Sequence, residues 1–466
     1  MVPPSSMSDM SHSNGDSLFD VVVVGGGVVG LAIVKTLVCN LPHLRVACVE
    51  ARHHLLTCAS GSNSGIACTG VDAPLGSLER ACIRDSISTI RPFCREMNIP
   101  FRECGSLVCL WPWDECCGSQ EEKLRGVAME SWDAGDTHAR ILNHDQLLEL
   151  EPALSKEVIG GVHIPGEIML DPWLFSIAFA VQARHYDAEI YTNWEYDPKR
   201  SYWDDSLRQW TLRRKSNYPN SPDLLHAKIL VNASGIYSDQ VQSNTSLNQT
   251  TDSGLPTSPF EARPRRGQYY VYSQTSNTKL VRPIQPVPTQ YSKGIFVFSS
   301  LYDQIVVGPT ALDQTSRDDT TIHGEVRETL RSHAHRILPQ SSEEQFIGEY
   351  VGIRPGTSRR DYQISSYPTT NWITVGGIRS TGLTASMGIG RFVFRLVIAL
   401  LGEKYQTSQE VVASGRAPCA IPSIQSLVEE FHASGEEEVV TIHGHKYKVT
   451  HPITRFGWKA RTGLAA

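Results

Sequence analysis

The chain has 466 residues, 40% hydrophobic and 20% charged, with a formal net charge of −6. That length can bury a full core as two interleaved domains, and the acidic balance disfavours nucleic acid as a partner, because phosphate binding needs a basic surface. Eleven cysteines, an odd count with no Cys-x-x-Cys pair, argue against a disulfide framework or metal cluster and for thiols in a reducing compartment.

Residues 1–17 are Ser-rich, with Asp9, Asp16 and no Lys or Arg. A mitochondrial presequence is Arg-rich and acid-poor, and a secretory signal starts basic and then turns apolar. A disordered tail and a cytoplasmic location are the expectation. The C-terminal Gly463-Leu464-Ala465-Ala466 is not a peroxisomal Ser-Lys-Leu.

Val21-Val22-Val23-Val24 has the β-branched character of a strand buried on both faces of a parallel sheet. It leads into Gly25-Gly26-Gly27-Val28-Val29-Gly30 and then an apolar helical stretch, Leu31 to Val38. Gly25 permits the tight turn, Gly27 lets backbone approach a pyrophosphate, and Gly30 allows close helix-to-strand packing. The helix start offers free N–H groups to phosphate. The apolar run from Val21 to Val34 is shorter than the about 20 residues a membrane span needs, so no transmembrane segment is expected. A second strand, Arg45 to Glu50, ends on an acid twenty residues after Gly30, where ribose hydroxyls would be bound. An acid there repels a 2′-phosphate and disfavours NADP.

Small and hydroxyl residues then crowd together from Ala59 to Ile66, followed by Gly76-Ser77-Leu78. Further blocks are Pro165-Gly166-Glu167 with Asp171-Pro172-Trp173, Val231-Asn232-Ala233-Ser234-Gly235, and Arg263-Pro264-Arg265-Arg266-Gly267-Gln268-Tyr269. Gly308-Pro309-Thr310, Gly352-Ile353-Arg354-Pro355 with Asp361, and Gly377 to Ser386 complete the series. In the last block a strand ends at Gly377, and Ser380 to Thr384 opens an apolar helix whose N–H groups suit negative charge on a bound group. Strand-like runs at Gln268–Tyr272 and Ile295–Phe298 fall between the blocks.

Taken in order, these blocks resemble the D-amino-acid-oxidase-like superfamily of FAD-dependent oxidoreductases, nearest the branch of glycerol-3-phosphate and L-2-hydroxyglutarate dehydrogenases. The resemblance implies an α/β fold: a Rossmann-type, glutathione-reductase-like FAD domain interleaved with an antiparallel-sheet substrate domain. Cofactor segments are expected near 18–85, 145–255 and 345–402, the substrate domain at 86–144 and 256–344, and an extension at 403–466. FAD is the implied cofactor. Its contacts fall on Gly25, Gly27, Val28, Val29, Gly30, Glu50, Ala51, Arg52, Asn63, Ser64, Gly65, Ala233, Gly235, Gly377, Arg379, Ser380, Thr381, Gly382, Leu383 and Thr384. In the extension, Val439–Ile442 and Lys446–Val449 read as a strand pair around a His443-Gly444-His445 turn, with no metal site.

Hydride transfer to a flavin requires a held substrate C–H and a group to take the O–H or N–H proton. The resemblance assigns Arg354 to the substrate's anionic group, which a guanidinium fork matches. Arg265, Arg266 and Lys293 are weaker candidates; Arg266 reads as a brace for the Gly267 turn. Cys68 stands where the branch usually has a His. It is an inert filler first, then a polar or thiolate contact, then a covalent flavin link. His163 is a substitute for the missing base. The implied reaction is oxidation of a small anionic hydroxy substrate, with oxygen, a quinone or an electron-transfer protein as acceptor. Oxidation of an amine or amino acid, a tailoring oxidase of a biosynthetic pathway, a non-catalytic flavoprotein and a plain NAD dehydrogenase stand as alternatives.

Overall fold

The computed structural model describes residues 18–114, 120–219, 221–246, 254–288, 294–402 and 419–461. The expected N-terminal tail, Cys116-Cys117 and Lys293 lie outside the described residues.

Two large sheets organise the chain. The first is built on Leu18–Val24, with Val46–Val49 parallel on one side and Leu224–Asn232 parallel on the other. Glu189–Tyr191 extends one edge, and Trp372–Gly376 adds a parallel strand beside Leu230–Asn232. The four valines of the first strand are buried, as the β-branched run anticipates. Helix Val28–Asn40 packs against helices Pro172–His185 and Gly382–Leu401, and the last also packs against helix Leu78–Glu96. Among the described residues, Gly382–Leu401 is the helix long and apolar enough to cross a membrane, yet Leu383 to Gly390 are buried against its neighbours, as in a core helix.

The second sheet is centred on Arg263–Ser273, paired antiparallel with Phe346–Gly356 along one edge and Gln304–Gly308 along the other. It continues through Phe296–Ser299, Ile284–Pro286, Ser106–Leu110 and Gly160–Ile164 to Arg140–Asn143. Among the described residues its strands pair antiparallel, except Ile284–Pro286 with Ser106–Leu110, which is parallel.

The expected segment boundaries need correction at three places. Gly160–Ile164 and Phe346–Gly356, expected with the cofactor domain, are strands of the second sheet, and helix Leu78–Glu96, expected to end near 85, belongs to the cofactor side.

The faces of the second sheet decide where side chains can act. On its inner face, Tyr269, Val271, Phe298, Val306 and Tyr350 join the apolar core of the cofactor domain. On its outer face, Leu107, Ile284, Val297, Ile305 and Val307 pack beneath Leu330, Ala334 and Ile337 of helix Gly324–Ile337.

Candidate functional site

The first strand, its glycine turn and helix Val28–Asn40 form a phosphate-sized cradle. Gly25 has φ 118°, and a Cβ there would lie 2.4 Å from the Ala233 carbonyl oxygen. At Gly30 a Cβ would lie 2.0 Å from the Gly25 oxygen, so turn and helix touch as backbone. Gly27 differs: a Cβ would meet only the Ser60 hydroxyl, at 3.1 Å, so the open side of the turn faces the 58–65 loop. The helix has no acidic residue in its first turn and no side-chain cap on Gly27. Val28 N donates to Ser60 Oγ at 2.9 Å. An N-terminus left open toward a polar loop is suited to a pyrophosphate.

Glu50 closes the second strand. Its carboxylate accepts from Gly26 N at 2.7 Å and Arg52 N at 2.8 Å, while burial raises its pKa. Ala51 and Arg52 are exposed, and Arg52 pairs with Asp318 at 3.3 Å. The 58–65 loop is internally braced: Asn63 Nδ2 donates to Ser60 O, and Asn63 Oδ1 accepts from Gly65 N. Ser64 Oγ accepts from Ile66 N. Near Ala233 and Gly235, Asn232 ties the turn by donating to Ser238 O at 2.7 Å and accepting from the Ser234 hydroxyl.

A second helix start faces the same region. Gly377 and Arg379 have positive φ, 64° and 51°, and the helix from Gly382 begins without an acid or a side-chain cap. Thr384 Oγ1, on this first turn with Leu383, accepts from Cys68 N at 3.1 Å, and its hydroxyl lies 3.7 Å from Cys68 Sγ. The structure thus joins Cys68 to the first turn of this helix through Thr384.

Sequence reasoning missed a polar chain here. Tyr362 donates to Thr381 Oγ1 at 2.6 Å, and Thr381 donates to Glu79 Oε1 at 2.6 Å. Arg379 lies 3.9 Å from Glu79 Oε2. Asp361 caps helix Leu78–Glu96, accepting from Leu78 N and Glu79 N. The nearest signal was the acid immediately after Gly76-Ser77-Leu78, which reads as an ordinary first-turn carboxylate.

Arg354 sits on the second sheet where that sheet meets the cofactor loop; a Cβ on neighbouring Gly352 would lie 2.9 Å from Ser62 O. Its two terminal nitrogens each donate to Thr310 O at 3.1 Å. Desolvation lowers its pKa and neighbouring Arg265 lowers it further, against a raising contribution from Tyr269. It has no carboxylate partner among the described residues. The other arginines of the block are engaged: Arg266 with Gln314, Thr321 O and Asp319, and Arg265 with Asp313 at 3.5 Å. Arg266 therefore ties down the 314–321 segment.

His163 is not brought to the site. It pairs with Leu107 across the second sheet, and directly paired residues share a face. That face is the outer one, away from the glycine cradle. Its ring lines a surface hollow with Thr137, His138, Arg140 and Pro165, and burial, with Arg282 and Arg140 nearby, lowers its pKa to about 4. Its role as substitute base is withdrawn on position.

Two open helix N-termini, a glycine turn that admits a phosphate and an acid at the second strand define a dinucleotide-binding oxidoreductase site covered by a second sheet. The chain belongs to the DAO family of FAD-dependent oxidoreductases, whose model matches residues 20–396. It is 28% identical over 382 residues to the glycerol 3-phosphate oxidase of Mycoplasma pneumoniae, covering 81% of this chain and 94% of that one. It is 26% identical over 381 residues to a glycerol 3-phosphate dehydrogenase of Caloramator mitchellensis, covering 82% and 74%. Among solved structures it is similar to the FAD-bound L-alpha-glycerophosphate oxidase of M. pneumoniae, with TM-score 0.71, 25% identity and coverage of 82% and 95%. FAD is the cofactor, and the residues present fit it.

Proposed function

We propose that this enzyme oxidises a small anionic alcohol, of the glycerol 3-phosphate or 2-hydroxy acid type, with Arg354 holding the anion. The supporting observation is a desolvated guanidinium without a carboxylate partner, at the seam between the second sheet and the cofactor loop. A half-buried cation without a counter-ion is costly unless an anion arrives. The names of the two glycerol 3-phosphate relatives point the same way.

When bound, FAD supplies a two-electron acceptor for the substrate C–H. Gly25, Gly27, Gly30 and Glu50 would hold its nucleotide part, and the two helix N-termini would face its negative groups. Arg354 orients the substrate, and the inner face of the second sheet, with Tyr269 stacked on Tyr350 at 4.4 Å, excludes water. A cytosolic site of action is part of the same reading, supported by the odd number of cysteines and the lack of a Cys-x-x-Cys pair in the sequence.

One observation favours a second reading. Cys68 occupies the position where the related branch usually carries a histidine, and oxidation of a neutral amine has less need of a strong base than oxidation of an alcohol. Anaerobic mixing of the purified yellow enzyme with a panel of glycerol 3-phosphate, 2-hydroxy acids, amino acids and simple amines separates the two. Bleaching by an anionic alcohol supports the first; bleaching only by amines replaces it with the second. Peroxide formation in air against reduction of a soluble quinone then identifies the acceptor class.

A further inference from the structure

The C-terminal extension lies beyond residues 20–396 matched by the family model, yet it is built into the cofactor side of the molecule. It comprises helix Ile424–Ala433, a hairpin of Val439–Ile442 with His445–Lys448, and helix Pro452–Ala460. Its Phe431, Val440, Ile442, Val449, Ile453 and Trp458 are buried in the same apolar core as helix Val28–Asn40. Three anchorages fix it. Trp458 stands edge-on to Trp173 at 5.8 Å, and Trp173 Nε1 donates to Lys448 O at 3.1 Å. Thr454 donates to Asp171, the cap of helix Pro172–His185, which also accepts from the Tyr302 hydroxyl. Phe456 packs on Gly348 of the second sheet, where a Cβ would come within 2.6 Å of its ring.

Between these anchorages, Thr450 and His451 meet the loop that faces the phosphate cradle. Thr450 Oγ1 donates to Leu56 O at 3.2 Å, and Leu56 N donates to Gly26 O inside the glycine turn. His451 is fully buried; its Nδ1 accepts from Ile453 N, and its ring stands edge-on to Tyr350 at 5.9 Å. The Tyr350 hydroxyl in turn donates to the Asn63 carbonyl at 3.2 Å. The extension therefore holds the loop at both ends, directly at Leu56 and through Tyr350 at Asn63. Ser60, which bonds the first N–H of the phosphate-facing helix, lies between the grips.

We propose that Thr450 and His451 are positioning residues for FAD, holding the 56–65 loop in its binding conformation. A loop ordered before the cofactor arrives loses less conformational entropy on binding, so affinity follows from the grip. The inference depends on FAD binding and not on the substrate.

The test uses the full chain, stripped of flavin and titrated with FAD by fluorescence quenching. Thr450→Val removes the hydroxyl at constant shape. His451→Asn keeps an acceptor near Ile453 N but withdraws the ring from Tyr350, whereas His451→Phe keeps a ring there. Thr450→Val should weaken FAD binding about fivefold, the worth of one net hydrogen bond; His451→Asn should weaken it too, and His451→Phe should bind better than His451→Asn. Melting temperature with and without saturating FAD is the second readout. A smaller FAD-induced rise in Thr450→Val and His451→Asn supports the proposal. Unchanged FAD affinity in Thr450→Val, with any loss of melting temperature equal in both states, overturns it. So does failure of His451→Phe to bind better than His451→Asn. If His451→Asn does not fold, Thr450→Val decides alone.

Discussion

Replacing Arg354 with alanine should abolish discrimination for the substrate's charge. The guanidinium is half-buried, and its terminal nitrogens meet neutral carbonyls, both donating to Thr310 O at 3.1 Å and one also to Arg266 O at 3.4 Å. A carboxylate or phosphate offers the same fork two charged acceptors, and removing one partner of such a buried pair costs about 3–5 kcal/mol. At about 1.4 kcal/mol per tenfold, that is roughly a hundredfold to a few thousandfold in kcat/KM. The assay is the ratio of kcat/KM for glycerol 3-phosphate to that for glycerol, or for a 2-hydroxy acid to that for its amide. The ratio should fall by that factor in Arg354→Ala and by less in Arg354→Lys, which keeps the charge and loses the fork. Flavin content should be unchanged in both. If the rate drops equally for charged and neutral substrates, the ratio stays constant and Arg354 is only a brace for the Thr310 turn.

Gly30→Ala should yield a protein without flavin, because the added methyl would sit 2.0 Å from the Gly25 oxygen; the absorbance ratio near 450 nm (roughly where oxidised flavins absorb) to the protein band checks it. Acid precipitation of the yellow wild type should release the colour. Colour retained in the pellet, and lost from it in Cys68→Ala, would instead make Cys68 a covalent anchor. His163→Asn should keep kcat within about twofold, since its face of the second sheet points away from the cradle; a loss of several orders of magnitude would return His163 to the chemistry. Stability should fall as pH drops from about 6.5 toward 4. His163 and His333 have pKa values lowered to about 4, and His451 to about 3, all chiefly by burial. A histidine with a depressed folded-state pKa contributes fully above its unfolded value and loses that contribution as it is forced to charge. Urea midpoints from pH 7.5 to 4.5 report the slope, which should be shallower in His333→Gln.

The cofactor half of the site was legible because its constraints are local. Gly25, Gly30 and Glu50 serve one turn between adjacent strands, so their spacing along the chain is their spacing in space, and the structure finds each where the pattern put it. Arg354 came from the resemblance alone, through the Gly352-Ile353-Arg354-Pro355 block, and the glycine two residues before it is the point where the second sheet touches Ser62. What stayed hidden depends on pairing between distant segments. His163 follows Val162 in a strand and precedes the Pro165 block, so proximity in sequence suggested the site. The direction of its side chain, however, is fixed by register with Leu107, and a one-residue change of register would have reversed it. Glu79 and Tyr362 carry no motif at all, and their hydrogen-bonded chain exists only because Thr381 lies between two helix starts some 300 residues apart in sequence. The extension is the strongest case. Nothing in its composition distinguishes a tail from a plug; Trp458 and His451 become informative only once the groove between helix Pro172–His185 and the second sheet shows that two fully buried side chains fill it. A chain whose cofactor loop is held by residues outside the family's own boundary should therefore fail on truncation in a way the family model does not anticipate. Removal of residues 419–466 should remove flavin as surely as Gly30→Ala does, and a yellow, folded truncation product would show that the cradle is sufficient without its plug.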